Sequence, residues 1–315
     1  MYKRAFSSIL LLAVIAIWTA QAWASKFDDV SGAFVDASRN RKVPYKIYFP
    51  KPLDGKYPVV IVSHGIGGSR ESNVQLGKHL ASNGFVVLNI QHEGSDEALL
   101  QGVRDRRLAQ LKLAQSLRDP RNAVNRFLDV PFVVAQLSIL NDSDKQLKGH
   151  LKIDALGMAG HSYGAISTMV AAGERVGAEY ASGKVSSLRA GLLLSPSPPR
   201  DGADVERVYR DVSIPLFHMT GTEDASLLDA RNVSPSDRVK PYRLLSVPNQ
   251  YLLVLNQADH KSFSNEAHDK RHTAAILDGA LAFFNAYLRD DRDAEQWLRT
   301  EYKKTLAPQD VFAFK

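Results

Sequence analysis

One five-residue stretch narrows the possible folds more than anything else in the chain. Gly160-His161-Ser162-Tyr163-Gly164 follows the apolar run Ile153 to Ala159 directly and leads straight into a helical pattern. This is G-x-S-x-G between a strand and a helix, where the turn is tight and strained and holds the serine up at the sheet edge. The flanking glycines are expected because backbone meets backbone there and a side chain at either position would clash.

The rest of the pattern agrees with an open α/β sheet. Short apolar, β-branched runs punctuated by Gly and Pro recur with room for helices between them. An opening hairpin is expected through Gly32 to Val35 and Tyr45 to Phe49, turning at Arg39-Asn40-Arg41. Further strands are expected at Val59 to Ser63, Phe85 to Ile90, Ile153 to Ala159, Ala190 to Ser195, Leu216 to Thr220 and Tyr251 to Leu255. Apolar residues near i, i+3, i+4 spacing predict helices over Glu71 to Asn83, Asn125 to Leu140, Gly164 to Ala172 and Thr273 to Leu288. The expectation is a mostly parallel, eight-stranded sheet flanked by helices. Residues 93–122, rich in Arg, Lys, Leu and Gln, form a helical insertion before the nucleophile strand. It is either a lid over the site or an exposed amphipathic helix packed beside the sheet.

Composition removes several classes of function. The 315 residues contain no cysteine, which excludes disulfide scaffolds, thiolate nucleophiles, cysteine zinc sites and iron–sulfur clusters. A net charge of +6 without a Lys/Arg-rich stretch gives no nucleic-acid footprint. Met1 to Ala24 carries a basic start (Lys3, Arg4), an apolar run from Ile9 to Trp18 and Ala22-Trp23-Ala24, the pattern of a secretory signal cleaved before Ser25. The apolar run is short of the roughly 18 to 20 residues that span a bilayer, and no later segment is expected to be long and apolar enough to do so. Residues 25–315 are expected to form a single catalytic domain, outside the cytoplasm.

A serine hydroxyl needs a base, and in this kind of sheet the partners follow in the order Ser, acid, His, each beyond the carboxyl end of a strand. His260 is the candidate base, in Asn256-Gln257-Ala258-Asp259-His260. Asp224 is the candidate acid in Gly221-Thr222-Glu223-Asp224, with Glu223 as its fallback. Asp259 is a poor alternative, because adjacent side chains on extended backbone point apart. Two backbone N–H groups should receive the oxyanion: that of Tyr163, after the nucleophile, and that of Ile66 in the loop Ser63-His64-Gly65-Ile66-Gly67-Gly68-Ser69. That loop lacks the G-K-[ST] ending of a nucleotide-binding loop. His64 and His161 read as hydrogen-bonding scaffold and His92 as pocket lining or loop packing, with His64 and His92 both candidates for the pocket. No metal-ligand spacing is present and no cofactor is implied.

These residues resemble the α/β-hydrolase superfamily, and within it the platelet-activating-factor acetylhydrolase and dienelactone-hydrolase-like secreted esterases. The resemblance runs through Asp36, Arg39-Asn40-Arg41, Tyr45 and Tyr48-Phe49-Pro50, then His64-Gly65-Ile66-Gly67-Gly68, His92-Glu93-Gly94-Ser95 and the Ser162 elbow. It continues through Thr220-Gly221-Thr222-Glu223-Asp224, Ala258-Asp259-His260, Phe263 and a closing helix ending near Trp297-Leu298. It implies a triad of Ser162, Asp224 and His260 acting on a small-molecule carboxylic ester, of short acyl chain, through an acyl-enzyme. Dienelactone hydrolases proper use a cysteine, which this chain lacks, so dienelactone is not the expected substrate. An amidase, lipase or peptidase with the same triad, or a silent binding protein on the same fold, remain the alternatives.

Overall fold

The computed structural model describes residues 26–176, 183–200, 202–226, 233–264 and 269–315. The expected signal segment 1–24 lies outside them. Nine strands form one sheet: β1 (Phe27–Asp36), β2 (Arg41–Pro50), β3 (Tyr57–Ser63), β4 (Val86–Ile90), β5 (Leu151–His161), β6 (Leu188–Leu194), β7 (Leu216–Glu223), β8 (Gln250–Asp259) and β9 (Val311–Phe314). Their order is β1-β2-β4-β3-β5-β6-β7-β8-β9. The six from β4 to β8 run parallel, while β1, β2 and β9 are antiparallel to their neighbours. This is the α/β-hydrolase fold. The ninth strand goes beyond the eight expected; at four half-exposed residues it is too short for an alternation to stand out.

The helices are α1 (Val74–Ser82), α2 (Arg106–Arg118), α3 (Pro120–Ser143), α4 (Tyr163–Ala172), α5 (Val205–Tyr209), α6 (Lys240–Leu244), α7 (Lys270–Leu288), α8 (Arg292–Thr300) and α9 (Tyr302–Thr305). Both faces of the sheet are covered, which is why the central strands are mostly apolar on both sides. Val59, Ile61, Val86 and Leu88 point to one core with Val130 and Val133 of α3 and Met169 of α4. Val60, Val62 and Val87 point to the other, with Leu80 of α1, Phe283 and Phe284 of α7 and Leu298 of α8.

The insertion consists of a 3-10 turn at Glu97–Leu100 and then α2, capped by the Asp105 side chain on Leu108 N–H. Asp119 ends α2 and, accepting from Arg121 N–H, starts α3 with Pro120 in its first turn. Helix α3 corrects one expectation. Within its 24 residues an 18-residue window has a mean hydropathy of 1.4, long and apolar enough to cross a membrane by length and composition. Arg126, Asp129 and Pro131 break the run in the sequence and hide that length. In the fold Phe127, Val130, Val133 and Leu137 are buried, so much of its apolar surface is spent on the core.

Candidate active site

The turn after β5 is as tight as the sequence demands. Ser162 has φ 56° and ψ −113°, a combination an L-residue holds only when its surroundings force it. A Cβ on Gly160 would lie 2.0 Å from Gly164 O, and one on Gly164 would lie 1.9 Å from Ser63 O. Both glycines are therefore needed for β5, α4 and β3 to approach one another. The serine is left at the N-terminus of α4, half-exposed and facing a cavity of about 860 Å³.

His260 begins a 3-10 turn directly after β8 and lies over this serine, with Ser162 Oγ donating to His260 Nε2 at 2.9 Å. On the other side of the ring, Nδ1 is 2.8 Å from Asp224 Oδ1. Asp224 is wholly buried just beyond β7, whereas the fallback Glu223 is exposed, its backbone paired with Asp259. Asp259 turns away to cap the 3-10 turn, accepting from Lys261 N–H and Ser262 N–H.

The Asp224 carboxylate is held from more sides than the sequence suggested. Oδ2 accepts from Thr220 Oγ1 at 2.8 Å and from Ser195 Oγ at 2.5 Å, and Arg238 Nε is 3.4 Å from Oδ1. Burial pushes this carboxyl up, but the hydrogen bond from His260 and the charge of Arg238 pull it below the usual carboxylate range. Ser195, at φ 60°, also lies 2.8 Å from His260 Nδ1. Arg238 is buried too and donates to Ser195 O, Pro196 O and Ser197 Oγ, tying down the loop after β6. Neither residue carries a sequence motif. Ser195 was legible only as the last residue of a strand.

Gly65, Ile66, Gly67 and Gly68 line the cavity beside Ser162, Tyr163 and His260. Ile66 and Tyr163, the two proposed amide donors, thus border the same space. Ala114, Leu117 and Arg118 bring α2 to the wall, with Phe127 from α3. His161 is buried under the ring of His260, their centroids 4.8 Å apart, and donates from Nε2 to His260 O at 3.0 Å. Burial first, then the neighbouring His260, pushes its pKa down to about 3.

His64 and His92 do not line the cavity; both are buried beneath the glycine loop. The His92 N–H donates to His64 Nε2 at 2.9 Å, so His64 carries its proton on Nδ1 and donates it to Gly65 O at 2.6 Å. The His92 Nδ1–H faces Asp129 Oδ2 at 2.9 Å and its Nε2 accepts from Ser63 Oγ at 2.9 Å. Asp129 in turn receives Arg41 through two 2.8 Å contacts and Arg39 at 3.0 Å. Burial, with the charge of Arg126, pushes His92 down to about 4, so it is neutral here. The sequence signal that could have exposed this network is the pair Arg126 and Asp129, charged at i and i+3 on the buried face of an apolar helix.

Among the described residues no group of three or more His, Asp and Glu side chains is placed to hold a metal.

Residues 38–118 match the family described as platelet-activating factor acetylhydrolase, isoform II. That span holds the hairpin arginines, the glycine loop and α2, and ends before Ser162. Among curated proteins, platelet-activating factor acetylhydrolase of Cavia porcellus is 24% identical over 288 residues, covering 81% of this chain and 63% of that protein. The same-named proteins of Canis lupus familiaris and Bos taurus are 24% identical over 144 residues and 28% over 134, covering 38% and 35% of this chain and 32% and 30% of theirs. The chain spans less than two thirds of the length of these relatives. It is an α/β-hydrolase that resembles the platelet-activating factor acetylhydrolases.

Proposed function

We propose that the protein is a serine hydrolase of carboxylic esters. Ser162 Oγ attacks the ester carbonyl while His260 Nε2 takes its proton. Asp224 holds the imidazole on the other side, and the amides of Ile66 and Tyr163 receive the oxyanion. The alcohol leaves with the proton from His260, and water then cleaves the acyl-enzyme by the same route. What carries this reading is the continuous contact from Ser162 through His260 to Asp224, at 2.9 and 2.8 Å, opening onto a cavity beside the glycine loop.

The resemblance to acetylhydrolases favours a short acyl group, and a cavity of about 860 Å³ then leaves room for a bulky leaving group. A second reading, a longer acyl chain, is favoured by the apolar wall of Leu117, Phe127, Ile166 and Val176. Hydrolysis of p-nitrophenyl esters from acetate to long-chain acyl separates the two. Turnover falling steeply with chain length supports the first, and turnover rising with it the second. No turnover by folded protein on any of them would sink the esterase reading and favour an amide substrate or a silent binding protein.

Export is part of the proposal, supported by the basic start, the apolar run and Ala22-Trp23-Ala24. N-terminal sequencing of the exported protein should begin at Ser25; a product retaining Met1 in the cytoplasm would count against it.

A further inference from the structure

Helix α3 carries a wholly buried guanidinium whose position the proposed chemistry does not by itself require. Arg126 donates from Nε to Ser167 Oγ at 2.9 Å, from Nη1 to Ser95 Oγ at 2.9 Å, and from Nη2 to Ser63 Oγ at 3.0 Å and to His64 O. Its carbon Cζ stands 4.5 Å from the centroid of the Tyr163 ring. These partners are neutral oxygens and an aromatic face. Taking a cation out of water for such partners is expensive, and a well-packed apolar side chain of similar volume would often serve stability as well.

What the partners share is their place in the chain. Ser63 and His64 lead into Ile66, the proposed donor from the glycine loop. Tyr163 is the other proposed donor, and Ser167, one turn further along α4, bonds back to Tyr163 O at 3.2 Å. Ser95 belongs to the loop whose carbonyl accepts from Gly67 N–H at 2.9 Å. One rigid planar fork therefore touches segments on both sides of the two amides. An ammonium on a flexible stem could keep the charge but not these directions at once.

Resting on the esterase reading above, we propose that Arg126 is the positioning residue of the oxyanion hole, fixing the Ile66 loop and the Tyr163 helix start at a distance matched to a tetrahedral oxyanion. It touches no substrate, so its effect is confined to the two steps, acylation and deacylation, in which an oxyanion forms.

The test compares Arg126→Met and Arg126→Lys with the parent on p-nitrophenyl acetate, with turnover referred to the folded fraction measured by denaturant titration. Arg126→Met should lose about 30- to 300-fold in kcat, somewhat less than the roughly 10²- to 10³-fold seen on removing an oxyanion donor outright, with KM within about threefold. Arg126→Lys should stay at least about 10-fold below the parent. A Met variant within about threefold of parental kcat per folded molecule overturns the proposal. So does full recovery in the Lys variant, which would leave charge alone as the cause. Where the Arg126 variants do not fold, the double variant Ser95→Ala/Ser167→Ala removes two anchors of the fork. It should lose about 5- to 20-fold in kcat at unchanged KM, and parental kcat overturns the proposal. A parent protein that neither hydrolyses the ester nor reacts with a fluorophosphonate sinks the esterase reading and this inference with it. An active parent with unimpaired variants sinks this inference alone.

Discussion

Two Ser–His–Asp chains with nearly the same distances lie among the described residues. In one, Ser162 Oγ is 2.9 Å from His260 Nε2 and His260 Nδ1 is 2.8 Å from Asp224. In the other, Ser63 Oγ is 2.9 Å from His92 Nε2 and His92 Nδ1 is 2.9 Å from Asp129. They differ in access. The His260 side chain is 24% exposed and its serine borders the cavity, while Ser63, His92 and Asp129 are each wholly buried. The Ser63 hydroxyl is also occupied by the guanidinium of Arg126. The same Ser–His–Asp contacts thus occur both at the cavity and in the buried interior. Only Ser162 stands on a strained turn facing the cavity, as the proposed acyl transfer requires.

The largest expected effect would break the symmetry of the two serines. Ser162→Ala should lower kcat by about 10⁴-fold or more, whereas Ser63→Ala should cost less than about 10-fold in kcat and about 1–3 kcal/mol of stability. Mass spectrometry after fluorophosphonate treatment should find the adduct on Ser162; an adduct on Ser63 would reverse the proposed roles of the two serines.

The two acids should separate in the same way. Asp224→Asn is expected to lower kcat per folded molecule by about 10³- to 10⁴-fold, because the imidazole loses its orienting acceptor. Asp129→Asn should leave activity per folded molecule within about 10-fold and cost about 3–5 kcal/mol in denaturant unfolding, the usual penalty for stranding buried charge partners. Equal catalytic losses in both variants would end the distinction.

Acid sharpens the comparison through stability. Burial pushes His92 and His218 down to about 4 and His161 to about 3, and pushes His64 well below the ordinary value of 6.5. Between pH 6.5 and 4 the unfolded chain binds these protons and the folded chain does not. The stability is therefore full above pH 6.5 and declines by about 1.4 kcal/mol per pH unit per histidine as pH falls. Asp129 and Asp224, held below 3.8, add their losses only beneath that. Urea midpoints at pH 7, 6 and 5 should fall steadily; a flat series would mean that these histidines are not neutral when folded.

The smallest effect belongs to the neighbour that lost the competition. Glu223 is exposed, and Glu223→Gln should change kcat by less than about twofold, within the range of an ordinary surface substitution. A loss comparable with that of Asp224→Asn would return it to the list of triad acids.

Most of the sheet was legible because each central strand is a short run dominated by apolar residues, and such runs arise when both faces are covered. The hairpin β1–β2 was found short, since β1 alternates exposed and half-buried residues at the sheet edge and its first residues look polar. The elbow and the stations of Asp224 and His260 were readable from local spacing, as each follows its own strand end. Ser195, Arg238 and Arg126 were not. Each acts on residues 14 to 65 positions away, and nothing in a local pattern marks such a contact. The position of His92 after a strand end allows either pocket lining or loop packing; in the fold it is buried against Asp129 of α3 and His64 of the glycine loop.

The sequence by itself determined the strand–turn–helix around Ser162, the absence of thiol chemistry, and the order in which serine, acid and histidine reach the carboxyl edge of the sheet. These follow from side-chain size, backbone freedom and period, which are properties of neighbours in the chain. The tertiary structure decided which of two carboxylates meets His260, which of two Ser–His–Asp chains opens to solvent, and that a buried guanidinium joins the two sides of the proposed oxyanion hole. Those outcomes depend on distances between segments far apart in sequence, and such distances exist only once the sheet has brought the segments together.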